Sequence, residues 1–183
     1  MNTISTKNQI LCALFAALIA VGAFIKIPVP VVPFTLQFLF TTLAGILLGK
    51  NLGALSVLLY ILLGLLGLPV FAEGGGFGYI FKPSFGYLIG FAIGAYVSGY
   101  FAEQSKRPSL LLLLMGNLFN LLLVYAFGMV YYYAICNYYL GNPLSVGTLI
   151  MYCFVLAVPG DAVLCVTAAF LGKRLLPILR GSH

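Results

Sequence analysis

Long apolar runs separated by short polar segments dominate the pattern along the chain. Residues 10–25 and 53–70, for example, contain no charged side chain. A helix of about 20 apolar residues, rising about 1.5 Å per residue, crosses a hydrocarbon core of about 30 Å. The pattern therefore predicts six transmembrane helices, at residues 9–25, 34–49, 52–69, 84–102, 109–133 and 147–172.

Turn-forming residues separate these predicted helices. Lys26 with Pro28, Pro30 and Pro33 ends the first, and Lys50-Asn51 forms a minimal turn after the second. A glycine-rich loop at 69–83 follows the third, the polar stretch 103–108 the fourth, and a Gly-Asn-Pro turn at 141–143 the fifth. Because no internal repeat or linker is evident, we predict a single six-helix membrane domain over residues 1–180. Residues 181–183, Gly-Ser-His, resemble the remnant of an expression tag.

Composition supports an integral membrane protein. Hydrophobic residues make up 63% of the chain and charged residues only 7%, against about 25% charged in a soluble domain. The net charge of +6 does not indicate nucleic-acid binding, because the cations are scattered at the ends of the apolar runs and form no basic stripe.

The cations instead predict the orientation of the helices. Seven cations lie on the side of the membrane that holds the two termini, and two lie on the other side. Cytoplasmic segments of membrane proteins are enriched in Lys and Arg. We therefore expect both termini to be cytoplasmic. The seven are Lys7, Lys50, Lys106, Arg107, Lys173, Arg174 and Arg180, and the two are Lys26 and Lys82.

Small residues recur every fourth position on several predicted helices and mark places where helices approach closely. The series are Gly86, Gly90, Gly94 and Ser98; Gly45, Gly49 and Gly53; Ala13 and Ala17; and Ala16 and Ala20. Such series pack helices together in membranes. The pattern alone does not decide between packing within the chain and contact with a partner.

No catalytic motif is present. The segment GILLGKN at 45–51 differs from a phosphate-binding loop in spacing and ends in Asn. The only histidine is in the tag-like end, and the four cysteines have no spacing typical of a metal site. We therefore predict that the chain is not an enzyme and holds no metal or cofactor.

Asp161 is the only acid within the predicted helices. A carboxylate inside a membrane is costly, and is therefore a candidate for function. Pro159 and Gly160 directly precede it and predict a break that leaves Asp161 near the start of a half-helix, where the helix dipole favours its charge. Asp161 either contacts a ligand or caps this break, and it can do both.

Other polar side chains are expected at a similar depth. Each can bind a ligand or simply bond a neighbouring helix; together they suggest a polar cavity near the outer surface. Lys82, beside them, can hold an anionic group or reach the lipid headgroups. The other residues are Gln37, Ser84, Tyr87, Asn117 and Asn120.

Four blocks in this sequence resemble the signature segments of BioY proteins, which are the biotin-binding S components of energy-coupling-factor (ECF) transporters. They occur in the expected order and between the expected helices. The blocks are PFTLQ at 33–37, GLLGLPVF at 64–71, GYLIGF at 86–91 and PGD at 159–161.

This resemblance implies a fold, a ligand and partners. The fold would be a six-helix S component in a prokaryotic cell membrane, with a biotin pocket covered by the loop between the third and fourth helices. The partners would be a transmembrane T component and two ATP-binding-cassette ATPases. In S components an Ala-x-x-x-Ala face of the first helix meets the T component, which favours Ala13, Ala17, Ala16 and Ala20 as contacts.

Biotin chemistry fits the candidate residues. Asp161 can accept hydrogen bonds from the two ureido N–H groups, and an Asn or Gln amide can donate to the ureido carbonyl. Aromatic side chains can line the apolar part; the candidates are Phe34, Phe71, Phe77 and Tyr87.

The sequence departs from the family pattern in two places. Leu164 stands where the family usually has Lys, and Lys82-Pro83-Ser84 replaces Gly-Pro-Thr. The group that holds the ligand carboxylate is therefore open. The alternatives are an S component for another vitamin and, less favoured, a stand-alone ion-coupled carrier, which would need more ionisable residues along its path.

Overall fold

The computed structural model shows a bundle of helices. It describes residues 5–27 and 34–180, with the backbone alone described for Ile27, Phe34 and Arg180. The prediction of an all-α protein is confirmed for this part of the chain. The helices are α1 (Thr6–Phe24), α2 (Gln37–Leu48), α3 (Lys50–Leu65), α4 (Phe85–Glu103), α5 (Leu110–Ala134), α6 (Val146–Ile150) and α7 (Val158–Arg180).

A short hairpin between α1 and α2 is the exception to the helical pattern. Strand β1 (Lys26–Ile27) pairs antiparallel with β2 (Phe34–Thr35), with Lys26 opposite Thr35. The predicted start of the second helix at residue 34 was therefore wrong, because the backbone of 34–35 bonds to β1 and the helix begins at Gln37. The proline cluster predicted to break the chain here lies outside the described residues.

A single glycine joins α2 to α3. Gly49 has a φ of +86°, which a residue with a side chain rarely adopts. The turn is thus one residue earlier than the predicted Lys50-Asn51. The Glu103 carboxylate of α4 accepts a hydrogen bond of 3.0 Å from the Lys50 backbone N–H and so satisfies a free donor at the start of α3.

In the part of the chain that the structure describes, four helical stretches are long and apolar enough to cross a membrane: Thr6–Phe24, Phe85–Glu103, Leu110–Tyr139 and Val146–Leu179. The other two apolar helices are shorter, with 12 residues in α2 and 16 in α3. Helix α3 ends at Leu65 rather than at the predicted residue 69, since a turn with Gly67 at a φ of +111° follows it.

The last apolar stretch is interrupted, as the sequence predicted. After α6 the chain forms a π-helical turn (Met151–Val155), and residues 156–157 form a turn before α7 begins at Val158. Pro159 lies in the first turn of α7, where a backbone N–H would have no helical partner. Asp161 therefore lies near the start of a helix.

Close helix contacts explain the small-residue series of α4. A Cβ atom placed on Gly90 would lie 2.7 Å from Cα of Val124, and one on Gly94 would overlap the Asn120 side chain. The ridge thus packs against α5 inside the chain. Helix α2 is central, because it contacts α1, α3, α4 and α7.

Candidate functional site

A cavity opens at the end of the bundle where the β1–β2 hairpin and the loop between α3 and α4 lie. Its walls come from α2, α4, α5, the start of α7 and that loop. The space between them is about 670 Å³, including the part open to solvent. The lining residues are Thr35, Gln37, Phe38, Ala72, Glu73, Tyr79, Ser84, Tyr87, Leu88, Phe91, Val124, Tyr125, Cys153, Ala157 and Asp161.

Asp161 lies on the cavity wall in the first turn of α7. Its Oδ2 accepts a hydrogen bond of 2.5 Å from the Tyr125 hydroxyl of α5. Within the described ranges, Oδ1 accepts no hydrogen bond and the carboxylate forms no ion pair. Leu164, one turn further on, is buried in the apolar core. One carboxylate oxygen is therefore available to a group inside the cavity.

Tyr87 adds a second, buried polar atom to the cavity wall. Its side chain is only 8% exposed, and its hydroxyl has no hydrogen-bond partner within the part of the chain that the structure describes. The nearby Cys153 thiol is only a weak hydrogen-bonding group. A buried hydroxyl without a partner costs about 1–3 kcal/mol, so a ligand oxygen or nitrogen would offset that cost.

Gln37 connects the cavity wall to the covering loop. Its Nε2 donates to the Tyr60 hydroxyl at 2.7 Å, and that hydroxyl donates to the Val70 carbonyl at 3.1 Å. The Thr35 hydroxyl donates to its Oε1 at 3.3 Å. An amide nitrogen carries two N–H groups, so one N–H of Gln37 is left for a ligand.

The loop between α3 and α4 covers the cavity and is fastened at several points. Lys26 donates from Nζ to the Ala72 carbonyl at 2.9 Å, and the Gly76 N–H donates to the Gly64 carbonyl at 2.7 Å. The loop ends in a 3₁₀ turn, Phe77–Phe81, held by a hydrogen bond from the Tyr131 hydroxyl to the Ile80 carbonyl. These bonds make the loop an ordered lid.

Lys82 belongs to this lid and does not line the cavity. Its Nζ donates to the Glu73 carbonyl at 2.8 Å and lies 3.6 Å from the Glu73 carboxylate. It therefore pairs with Glu73 and not with Asp161. Tyr79, which does line the cavity, lies beneath it with its ring centroid 5.1 Å from Nζ. Burial raises the pKa of the Tyr79 phenol, which keeps it neutral, and Ser84 donates to its hydroxyl at 3.2 Å.

The structure places four predicted residues together on the cavity wall: Gln37, Ser84, Tyr87 and Asp161. Asn117 and Asn120 are elsewhere, each 0% exposed within the bundle. Asn117 donates to the Cys165 carbonyl at 2.9 Å, and Asn120 donates to Thr42 and Ser98. In this structure both side chains form hydrogen bonds to neighbouring helices, which was the alternative to ligand binding.

Two of the aromatic residues predicted to line the cavity do not line it in the structure. The side chain of Phe34 lies outside the described residues, and Phe71 is buried behind the wall between the rings of Tyr60 and Tyr79. Phe77 is 70% exposed. The apolar wall instead contains Phe38, directly after Gln37, and Phe91, one turn beyond Tyr87.

Sequence reasoning missed five residues of the site that carry a polar or thiol group: Tyr125, Tyr79, Glu73, Thr35 and Cys153. Tyr125 follows Asn117 by eight residues, two turns along one face of α5, which was an available signal. Glu73 and Tyr79 belong to the loop, where periodicity gives no direction for a side chain.

The two alanine pairs of α1 face different ways. Ala16 is 4% exposed and Ala20 packs against the core, whereas Ala13 and Ala17 are exposed. The Ala13/Ala17 face is therefore the part of this series that is open to a partner.

Comparisons with known proteins agree with one another. The BioY family model matches residues 1–181. A probable biotin transporter BioY of Lysinibacillus sphaericus is 44% identical, over 98% of this chain and 91% of its own. The biotin transporter BioY of Thermotoga maritima is 41% identical, over 92% and 95% respectively.

The fold also matches a solved structure. The S component for biotin from an ECF-type ABC transporter superposes with a TM-score of 0.79 at 27% identity, covering 94% of each chain. The family resemblance inferred from the four sequence blocks is thus confirmed: this chain belongs to the BioY family.

Proposed function

We propose that this chain is the high-affinity biotin-binding membrane subunit, or S component, of an ECF-type uptake transporter. It would capture biotin from outside the cell and pass it inward with partner subunits that hydrolyse ATP. The observation that carries this proposal is Asp161, a carboxylate with one free oxygen on the wall of a lidded cavity. The similarity to proteins named as biotin transporters and as a biotin S component supports the choice of ligand.

The polar groups of the cavity complement those of biotin. Asp161 Oδ1 would accept a hydrogen bond from the ureido ring, and the Tyr87 hydroxyl or the spare N–H of Gln37 would donate to its carbonyl. The apolar rings of Phe38 and Phe91 would contact the sulfur-containing ring. A charged acceptor in a largely covered cavity penalises analogues that lack N–H groups.

The membrane arrangement is part of the same proposal. We infer six spans, with α2 and α3 as short crossings, both termini in the cytoplasm, and residence in a prokaryotic plasma membrane. The charge asymmetry of seven cations against two supports this orientation. Partners would be a transmembrane T component and two ATP-binding-cassette ATPases, in accord with the missing phosphate-binding loop of this chain.

The purified chain is expected to bind biotin tightly with one-to-one stoichiometry, because the cavity groups are already held in place by the lid and helices. Isothermal calorimetry on protein stripped of bound ligand would measure this, with thiamine and riboflavin as comparison ligands. No response to biotin beside a clear response to either comparison ligand would retain the S-component fold and reject biotin.

Replacing Lys82 by Ala is expected to weaken biotin while barely changing the affinity for biotin methyl ester, if Lys82 attracts the ligand carboxylate. Glu73 already partly neutralises Lys82, and the pair is partly solvated. We therefore expect an effect of about 1 kcal/mol, about fivefold in affinity, that diminishes with salt.

Lys26→Ala is the matched control for Lys82→Ala, because Lys26 also donates to a lid carbonyl but makes no contact with an acid in the described chain. Equal losses for acid and ester in the Lys82 variant, as expected for the Lys26 variant, would mean that Lys82 only fastens the lid. The ligand carboxylate would then be held by Ser84 or exposed to water.

A further inference from the structure

We propose that Tyr125 is a positioning residue that sets the ligand specificity of the cavity by fixing the orientation of the Asp161 carboxylate. This inference rests on the proposed biotin-binding function. Among the residues that the structure describes, the Tyr125 hydroxyl is the one hydrogen-bond donor to that carboxylate, at 2.5 Å, and no cation pairs with it. A desolvated carboxylate needs such a donor, because burying a charge without partners is costly.

The Tyr125 ring is held from two sides. It packs edge-to-face against Tyr87 from α4, with centroids 6.0 Å apart, and against Phe154 from the π-helical turn before α7, at 5.5 Å. The side chain is 4% exposed. Since aromatic pairs prefer this edge-to-face geometry, the neighbouring rings define where the hydroxyl lies.

A fixed hydroxyl in turn defines the two carboxylate oxygens of Asp161. Oδ2 is engaged by Tyr125, and Oδ1 is left for the cavity. Because the Tyr125 phenol is a neutral donor, it orients the carboxylate and leaves its charge in place. A Lys or Arg partner would instead neutralise that charge. The cavity is therefore presented with a charged acceptor that selects N–H donors and rejects ligands with a carbonyl at that position.

The test is a double-substitution cycle of Tyr125→Phe and Asp161→Asn, with biotin affinity measured for all four proteins. Tyr125→Phe keeps the ring and removes the hydroxyl. Alone it should weaken biotin by about tenfold, because the carboxylate loses its orienting hydrogen bond. In the Asp161→Asn background the same change should cost nothing or restore affinity. In the Asp161→Asn protein, the Tyr125 hydroxyl would donate to the amide oxygen and so turn the amide N–H₂ toward the ligand. Removing that hydroxyl lets the amide rotate and present its oxygen to the ligand instead.

Tyr96→Phe is the control for loss of a tyrosine hydroxyl, since Tyr96 is 43% exposed and lies outside the cavity lining. The thermal midpoint and gel-filtration profile of each variant verify folding. Equal losses from Tyr125→Phe in both backgrounds, or no loss in either, would overturn the inference while leaving biotin binding by the unmodified protein intact. An unmodified protein that ignores biotin would instead reject the proposed function and this inference with it.

Discussion

Replacing Asp161 by Asn is expected to lower biotin affinity by about 30- to 1,000-fold, or about 2–4 kcal/mol. The change keeps the shape of the side chain but removes its charge. It also places the amide N–H₂, a hydrogen-bond donor, opposite the N–H donors of the ligand. The cavity is covered by the lid and largely lined with apolar side chains, so water would not compensate for the lost hydrogen bond.

Calorimetry or fluorescence titration of the purified variant measures this loss. Glu103→Gln is the matched control, because Glu103 is also a carboxylate in a helix but bonds Lys50 at the other end of α4, outside the cavity lining. Its removal should leave biotin affinity unchanged. A well-folded Asp161→Asn protein that binds biotin as tightly as the unmodified protein would show that Asp161 only stabilises the start of α7.

Replacing Ala17 by Trp is expected to abolish biotin uptake by cells while leaving the affinity of the isolated chain intact. Ala13 and Ala17 lie one turn apart on α1, and both are exposed in the isolated chain. Small side chains let two helices approach closely in a membrane. A Trp ring there would hold a docking helix away from α1 without reaching the cavity.

Three measurements test this: biotin affinity, co-purification with the T component, and cellular uptake. Ala16→Trp is the matched control, because Ala16 is 4% exposed in the core and a large ring there should destabilise the fold and lower affinity and yield together. Normal affinity with lost co-purification of the Ala17 variant supports docking through this face. Intact co-purification and uptake would refute it and direct the search to another helix.

Hydrophobic pattern was sufficient for the helices because burial in lipid or core demands long apolar runs. It identified each apolar stretch, and Pro159 with Gly160 indicated the break before Asp161. It placed the start of the second helix at residue 34 and the end of the third at residue 69. A strand pair and a glycine turn replace helical hydrogen bonds there, so α2 begins at Gln37 and α3 ends at Leu65. Local backbone hydrogen bonding decides such ends, and it depends on neighbours that are distant in the sequence.

The sequence by itself determined that the chain is helical and apolar, that Asp161 is the single acid within the predicted helices, and that α4 carries a ridge for close packing. These features depend on residue type and spacing alone.

The tertiary structure decided which polar residues meet. Asn117 and Asn120 share a face of α5, but the rotation of that helix against α2, α4 and α7 points them into the bundle. Tyr125 meets Asp161 from 36 positions away in the chain, because α5 packs against α7. Helical periodicity defines the faces of each helix, whereas the packing of all the helices together determines which face borders the cavity.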